Sequence, residues 1–160
     1  REGGRGVRYM TIIITEVANR EQALAIAQSL PNSFTDEGLA EMKVSLQEEI
    51  AFGAYDGQEL AGFATYKALN EVALELTWLA VLPDYQGSGV GTQLVTETLE
   101  RLRGSYKICT VKTLAETHPD PGYQKTRAFY RRLGFISIET IQPYPGWLPD
   151  NPCQIFVKCL

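Results

Sequence analysis

With 160 residues, 44% of them hydrophobic and 21% charged, the chain has the size and balance of one globular domain able to bury a core. A formal net charge of −4 argues against a nucleic-acid binder, and no apolar run reaches the ~20 residues a membrane span requires. Three scattered cysteines (Cys109, Cys153 and Cys159) and one histidine form neither a disulfide framework nor a metal-ligand pattern, so a reducing, cytoplasmic setting without a metal is expected.

Arg1 to Arg8 is basic and glycine-rich without the apolar segment of a signal peptide. It reads as a disordered leader or a remnant of expression, with Met10 a candidate native start and a single domain over residues 9–160. Tyr9 to Val17, rich in Ile and Thr, predicts a strand. Asn19 with Gln22 makes a capping box, and Ala23, Ile26, Ala27 and Leu30 repeat at helical spacing until Pro31. Ser33 and Asp36 offer a second cap, before a helix with Leu39, Met42 and Leu46 on one face.

Three strands follow. Ile50 to Tyr55 leads into Asp56-Gly57, a dipeptide favoured in tight hairpins; then come Leu60 to Ala68 and Val72 to Leu82. Strict alternation along the last of these places Val72, Leu74, Leu76 and Trp78 on one face and Glu71, Ala73, Glu75 and Thr77 on the other. A helix with Val90, Leu94, Val95, Leu99 and Leu102 inward stops at Gly104. Lys107 to Leu114 is a strand, Tyr123 to Leu133 a helix closed by Gly134, and Phe135 to Ile141 and Cys153 to Leu160 are the last two strands.

The chemistry is concentrated where the third of those strands passes through Pro83 and a glycine-rich turn into the central helix. The first amides of a helix lack internal partners and carry about half a positive charge, which suits a phosphorylated ligand. A Walker loop would need a lysine after the glycines, and none follows. A dinucleotide fingerprint would need a third glycine where Thr92 stands, and belongs in a chain's first strand-to-helix turn rather than mid-chain.

Gln86-Gly87-Ser88-Gly89-Val90-Gly91 resembles without mismatch the Gln/Arg-x-x-Gly-x-Gly/Ala signature of the GNAT superfamily of N-acetyltransferases. Ala128-Phe129-Tyr130-Arg131-Arg132-Leu133-Gly134-Phe135 resembles the same family's helix-to-strand junction, and the element order agrees from about Tyr9 onward. The resemblance implies an α/β (α+β) fold with a mixed central sheet, splayed between the fourth and fifth strands and carrying helices on both faces. It also implies direct transfer of an acetyl group from acetyl-coenzyme A to a primary amine in a ternary complex. A coenzyme-binding regulatory module without catalysis is the alternative.

From the resemblance, the coenzyme's pyrophosphate belongs on Gln86, Gly87, Ser88, Gly89, Val90, Gly91 and Thr92. Its pantetheine arm and thioester belong beside Leu79, Ala80 and Val81, where the strand is expected to bulge, and Arg127 is a candidate phosphate contact. Tyr130 is the implied general acid for the departing thiolate. Glu75, eleven positions before Gln86, is the candidate base, with a water chain as the other route. Relatives often carry an asparagine seven positions before the tyrosine; this chain has Tyr123 there. Acceptor contacts are expected from Phe34 in the helix-to-helix loop, from His118, and from Tyr144 and Trp147 in the proline-rich segment 142–152. No partner beyond acetyl-coenzyme A and an amine is implied, with no nucleic acid and no membrane, and the chain is expected as a monomer or homodimer.

Overall fold

The computed structural model describes residues 10–30 and 33–160. The reading of residues 1–8 as a leader lies outside the described residues. Strand β1 (Ile12–Glu16) is followed by helices α1 (Arg20–Gln28) and α2 (Asp36–Glu48). The antiparallel strands β2 (Ile50–Asp56), β3 (Glu59–Ala68) and β4 (Ala73–Val81) lead into helix α3 (Val90–Leu102). The chain ends with β5 (Ile108–Leu114), α4 (Gly122–Arg132), β6 (Ile136–Ile141) and β7 (Cys153–Cys159).

Local chemistry accounts for most of these boundaries. The Asn19 side chain accepts a hydrogen bond from the Gln22 amide at 3.1 Å, as the capping box requires. The cap of α2 is Thr35 rather than Ser33 or Asp36: its hydroxyl accepts from the Gly38 amide at 3.0 Å, and Asp36 already lies inside the helix. Gly57 turns the β2–β3 hairpin with φ of 62°. Arg103, ahead of Gly104, closes α3, and the chain reverses after α4 through Gly134 at φ of 89°.

Among the described residues the sheet has seven strands in the order β1-β2-β3-β4-β5-β7-β6, and β4 and β5 are the one parallel neighbouring pair. That pairing runs only from Ala73 opposite Ile108 to Glu75 opposite Thr110; beyond it the two strands part. This is the splay between the fourth and fifth strands that the sequence implied. One apolar cluster joins Leu74, Leu76, Val111 and Phe156 of the sheet to Leu94, Val95 and Leu99 of α3 and Tyr130 of α4. A second joins Phe63 and Ala80 to Ala23, Ile26 and Ala27 of α1 and Met42 and Leu46 of α2. Burying each such side chain is worth roughly 1.5–3 kcal/mol, so the two clusters hold the helices against the sheet.

Polar contacts fix α3 more closely. Gln93 Nε2 donates to the Ile12 carbonyl at 3.1 Å and the Arg101 guanidinium to the Ile14 carbonyl at 2.6 Å. The buried hydroxyls of Tyr66 and Thr98 meet at 2.5 Å. The start of α3 is therefore held in one place relative to the gap between β4 and β5.

The alternation expected along β4 breaks at Thr77. Thr65 faces Trp78 while Tyr66 faces Leu76, so Thr77 is an extra residue in a β-bulge. Trp78 accordingly packs with the α1–α2 cluster instead of beside Leu74 and Leu76. The bulge lies earlier than the Leu79 to Val81 stretch where the sequence reading placed it.

Candidate active site

Between β4 and α3 the chain makes a short 3-10 turn, Pro83–Tyr85, and then the glycine loop. Tyr85 anchors this turn to the β2–β3 hairpin: its hydroxyl lies 2.9 Å from both Asp56 Oδ2 and Glu59 Oε2. Burial, reinforced by the two carboxylates, pushes its pKa up to about 12, so the phenol keeps the proton these bonds need. Gln86 Nε2 donates to the Val81 carbonyl at 2.9 Å, and the Ser88 hydroxyl donates to the Tyr85 carbonyl.

Gly87 and Gly89 have φ of 74° and 88°, backbone conformations that favour glycine. A Cβ at either would project into open space with no atom within 4 Å. Gly89 is also the N-cap of α3 and offers no side chain to the helix's first amides. Open space, free amides and a helix N-terminus at one place make a cradle that an anionic diphosphate fits.

A cavity of about 590 Å³ starts at this cradle and runs toward the parted strands. Leu79, Val81, Gln86, Gly87, Gly89, Gly91 and Thr92 line one wall, and Lys125, Thr126, Phe129, Tyr130 and Arg132 of α4 line the other. Four residues expected in the coenzyme site are not in the lining: Ala80 and Val90 turn into the core, the Ser88 hydroxyl is spent on Tyr85, and Arg127 is engaged elsewhere. Tyr130 is only 6% exposed, held edge-on between Phe129 and Phe135 at centroid distances of 5.2 and 5.6 Å. Burial raises its pKa well above the usual phenol value, which keeps the hydroxyl protonated. That hydroxyl is not one of the sealed, unmet polar atoms of the core, and its residue borders the cavity.

Arg127 requires a correction. Its guanidinium is buried and donates to the Leu114 carbonyl at 2.7 Å, tying α4 to β5 rather than facing the cavity. Cations reach the cavity from Lys125 and Arg132, which the sequence reading missed. Helical spacing held the signal: Lys125, Phe129 and Arg132 stand at i, i+4 and i+7 on the face that also carries Tyr130.

The remaining expected residues lie elsewhere around the splay. Glu75 Oε1 pairs with Lys112 Nζ at 2.6 Å, and Lys112 sits 5.2 Å from the ring centre of Tyr144. Tyr144 in turn meets Trp147 edge-on at 5.3 Å, so these four side chains form one continuous group. Phe34 packs edge-on against Trp78 at 5.9 Å. His118 is half-buried in the turn after β5, with Nδ1 accepting from the Asp120 amide at 3.2 Å, and it is not in the cavity lining. Among the described residues no group of three His, Cys, Asp or Glu side chains could hold a metal ion, and no helix is long and apolar enough to cross a membrane.

The sequence model of the GNAT acetyltransferase domain matches residues 47–137, more than half of the chain, spanning the glycine loop and Tyr130. The chain belongs to the GNAT acetyltransferase family. No curated protein sequence matches it significantly. Among solved structures, a GNAT-family protein from Desulfovibrio desulfuricans is similar with a TM-score of 0.81 at 20% identity, covering 93% of this chain and 99% of that one. The ribosomal-protein-S18-alanine N-acetyltransferase of Escherichia coli gives 0.73 at 19% identity, with coverage of 93% and 94%. An aminoglycoside 6'-N-acetyltransferase solved with coenzyme A gives 0.71 at 20% identity, with coverage of 92% and 96%. At these identities the structural likeness speaks for the fold, and the acetyltransferase family rests on the sequence match.

Proposed function

We propose that this GNAT acetyltransferase moves an acetyl group from acetyl-coenzyme A directly to a primary amine while both are bound. The observation that carries the reading is the cavity itself, with a glycine-lined anion cradle at one end and a buried, protonated tyrosine bordering it beside the parted strands. The cradle and the cations of Lys125 and Arg132 suit the diphosphate. The unpaired length of β4 offers amides to the pantetheine arm as an added strand would.

Three physical demands then fall on this chain's residues. An alkylammonium has a reference pKa near 10.4 and must lose a proton before its nitrogen can attack. The thioester oxygen gains negative charge as the nitrogen adds, and in this reading amides near Leu79 to Val81 stabilise it. The departing sulfur takes a proton from Tyr130, and the tyrosine is restored by the proton the new amide nitrogen sheds. The acceptor enters from the side of Phe34, Trp78, Tyr144 and Trp147. The test is thiol release from acetyl-coenzyme A with a panel of spermidine, lysine, phenylethylamine, kanamycin and a peptide with a free N-terminus. Acceptor-dependent release with acetylated product by mass spectrometry is expected; no release with any amine would refute the transfer.

A further inference from the structure

The sequence offered Glu75 as the base, but the structure gives that carboxylate an ammonium at 2.6 Å from Lys112. A second carboxylate lies on the same side of the sheet without such a partner among the described salt bridges. Glu49 follows the last residue of α2, and its two oxygens are each met by a hydroxyl: Ser45 Oγ donates to Oε1 at 3.0 Å and Thr77 Oγ1 donates to Oε2 at 2.5 Å. Behind Ser45 stands Trp78, whose Nε1 can only donate, to Ser45 Oγ at 3.2 Å. Behind Thr77 stands Thr65, its hydroxyl oxygen 2.7 Å from that of Thr77.

The direction of this network follows from its ends. An indole N–H gives and an ionised carboxylate only receives, so the Ser45 proton must point to Glu49. The Thr77 hydroxyl has two acceptors, Glu49 Oε2 at 2.5 Å and the Thr65 carbonyl at 3.1 Å; the shorter, charge-assisted bond to Glu49 takes its proton, and Thr65 then supplies the proton between the two threonines. Both branches therefore terminate on one carboxylate. Thr77 Oγ1 accepts from Thr65 and donates to Glu49, which leaves it one lone pair.

Thr77 is also the bulge residue of β4, beyond the last β4–β5 pair at Glu75 and two residues before Leu79 in the cavity wall. Neither Thr77 nor Glu49 is fully buried. Resting on the transfer reading above, we propose that the Thr77 hydroxyl takes the first proton from the acceptor ammonium and passes its own to Glu49. The N–H bond of the ammonium breaks as a new O–H bond forms at Thr77, and the former Thr77 proton ends on Glu49 Oε2. The products are a neutral amine and a neutral carboxylic acid, which returns its proton to solvent before the next turnover. Thr77 is the residue that touches the acceptor; Glu49 is a positioning residue that acts through it.

Charged groups on the elements around Glu49 are Glu48 in the same turn, Arg20 of α1 bound to the Leu46 carbonyl, Lys67 of β3 opposite Glu75, and the Glu75–Lys112 pair. The test compares Glu49→Gln, Thr77→Val, Thr77→Ser and Glu75→Gln with the parent enzyme, using acetyl-coenzyme A and the best acceptor of the amine panel. At pH 7, kcat/KM is expected to fall about a hundredfold in Glu49→Gln and Thr77→Val, the scale of one lost general base, and to stay near the parent value in Thr77→Ser. Raising the pH toward the pKa of the amine should restore the first two, because solution then supplies the free amine. Affinity for acetyl-coenzyme A should be unchanged throughout. A loss equal at every pH, or loss in Glu75→Gln with Glu49→Gln fully active, would overturn the relay. A parent enzyme inactive on every amine would instead overturn the transfer reading, and the relay with it.

Discussion

Replacing Tyr130 by phenylalanine separates chemistry from stability. The substitution removes one oxygen from a side chain that is 6% exposed and wedged between two aromatic rings, and it keeps the ring in place. That oxygen is not among the sealed, unmet polar atoms of the core, and its residue borders the cavity, so removing it should change stability by no more than about 1 kcal/mol in either direction. For a chain of this size that is a shift in Tm within about 2–4 °C. Turnover should change far more. Loss of a general acid costs about 10²–10⁴ in rate, or roughly 2.7–5.4 kcal/mol of barrier at 1.36 kcal/mol per decade. The assays are thermal unfolding, calorimetric titration with coenzyme A, and thiol release with the best panel amine. A Tm close to that of the parent, unchanged coenzyme affinity and a hundredfold loss of kcat are the expected set. A kcat within threefold of the parent would remove Tyr130 from the reaction, and a much lower Tm with lost binding would make it a structural residue.

Gly89→Ala forces an L side chain into φ of 88°, a strain of about 1–2 kcal/mol, and projects its methyl into the open space of the proposed cradle. Acetyl-coenzyme A should bind about tenfold more weakly or worse by calorimetry, one decade per ~1.4 kcal/mol, and an unchanged Kd would refute the cradle. Arg127→Met removes a charged donor from the Leu114 carbonyl, so urea unfolding should show a loss of about 1.5–3 kcal/mol with little change in coenzyme affinity; the reverse result would return Arg127 to the phosphates. Alkaline pH should destabilise the fold. Burial pushes the Cys109 thiol up to about 12 and raises the Tyr66 phenol further, so the folded chain keeps protons that the unfolded chain releases from about pH 8.5 and 10. Their contribution is complete below those values and is lost as pH rises, by about 1.4 kcal/mol per pH unit for each group, with Cys109 losing it toward pH 12. Urea midpoints between pH 8 and 11 should fall, less steeply in Cys109→Ala; a flat profile would contradict the burial argument.

What could be read from the sequence is what the backbone dictates. The glycine loop was legible because φ of 74° and 88° needs residues without a Cβ, whereas Tyr130 was singled out only through the resemblance of its helix-to-strand junction, ahead of Gly134, to that of the family. The direction in which α4 rolls on the sheet was not legible: a small rotation decides whether Arg127 or Lys125 looks into the cavity, and packing against β5 and Phe135 settles it. Nor was the bulge. Alternating polar and apolar residues along β4 look continuous in sequence, and only the pairing of Thr65 with Trp78 exposes the extra residue at Thr77. Glu49 was passed over for a related reason. A glutamate at a helix end is usually solvated, and its partners Ser45 and Thr77 are brought to it from two elements, one of them 28 residues away.

Calorimetric titration with acetyl-coenzyme A, run on the parent chain and on a Gly87→Ala, Gly89→Ala double variant, is the most direct measurement of whether the cleft at the head of α3 holds the acyl donor. One-to-one binding by the parent, weakened at least a hundredfold in a double variant that still unfolds cooperatively, is the outcome this account requires. Absence of binding by the parent, or equal binding by both proteins, would contradict it.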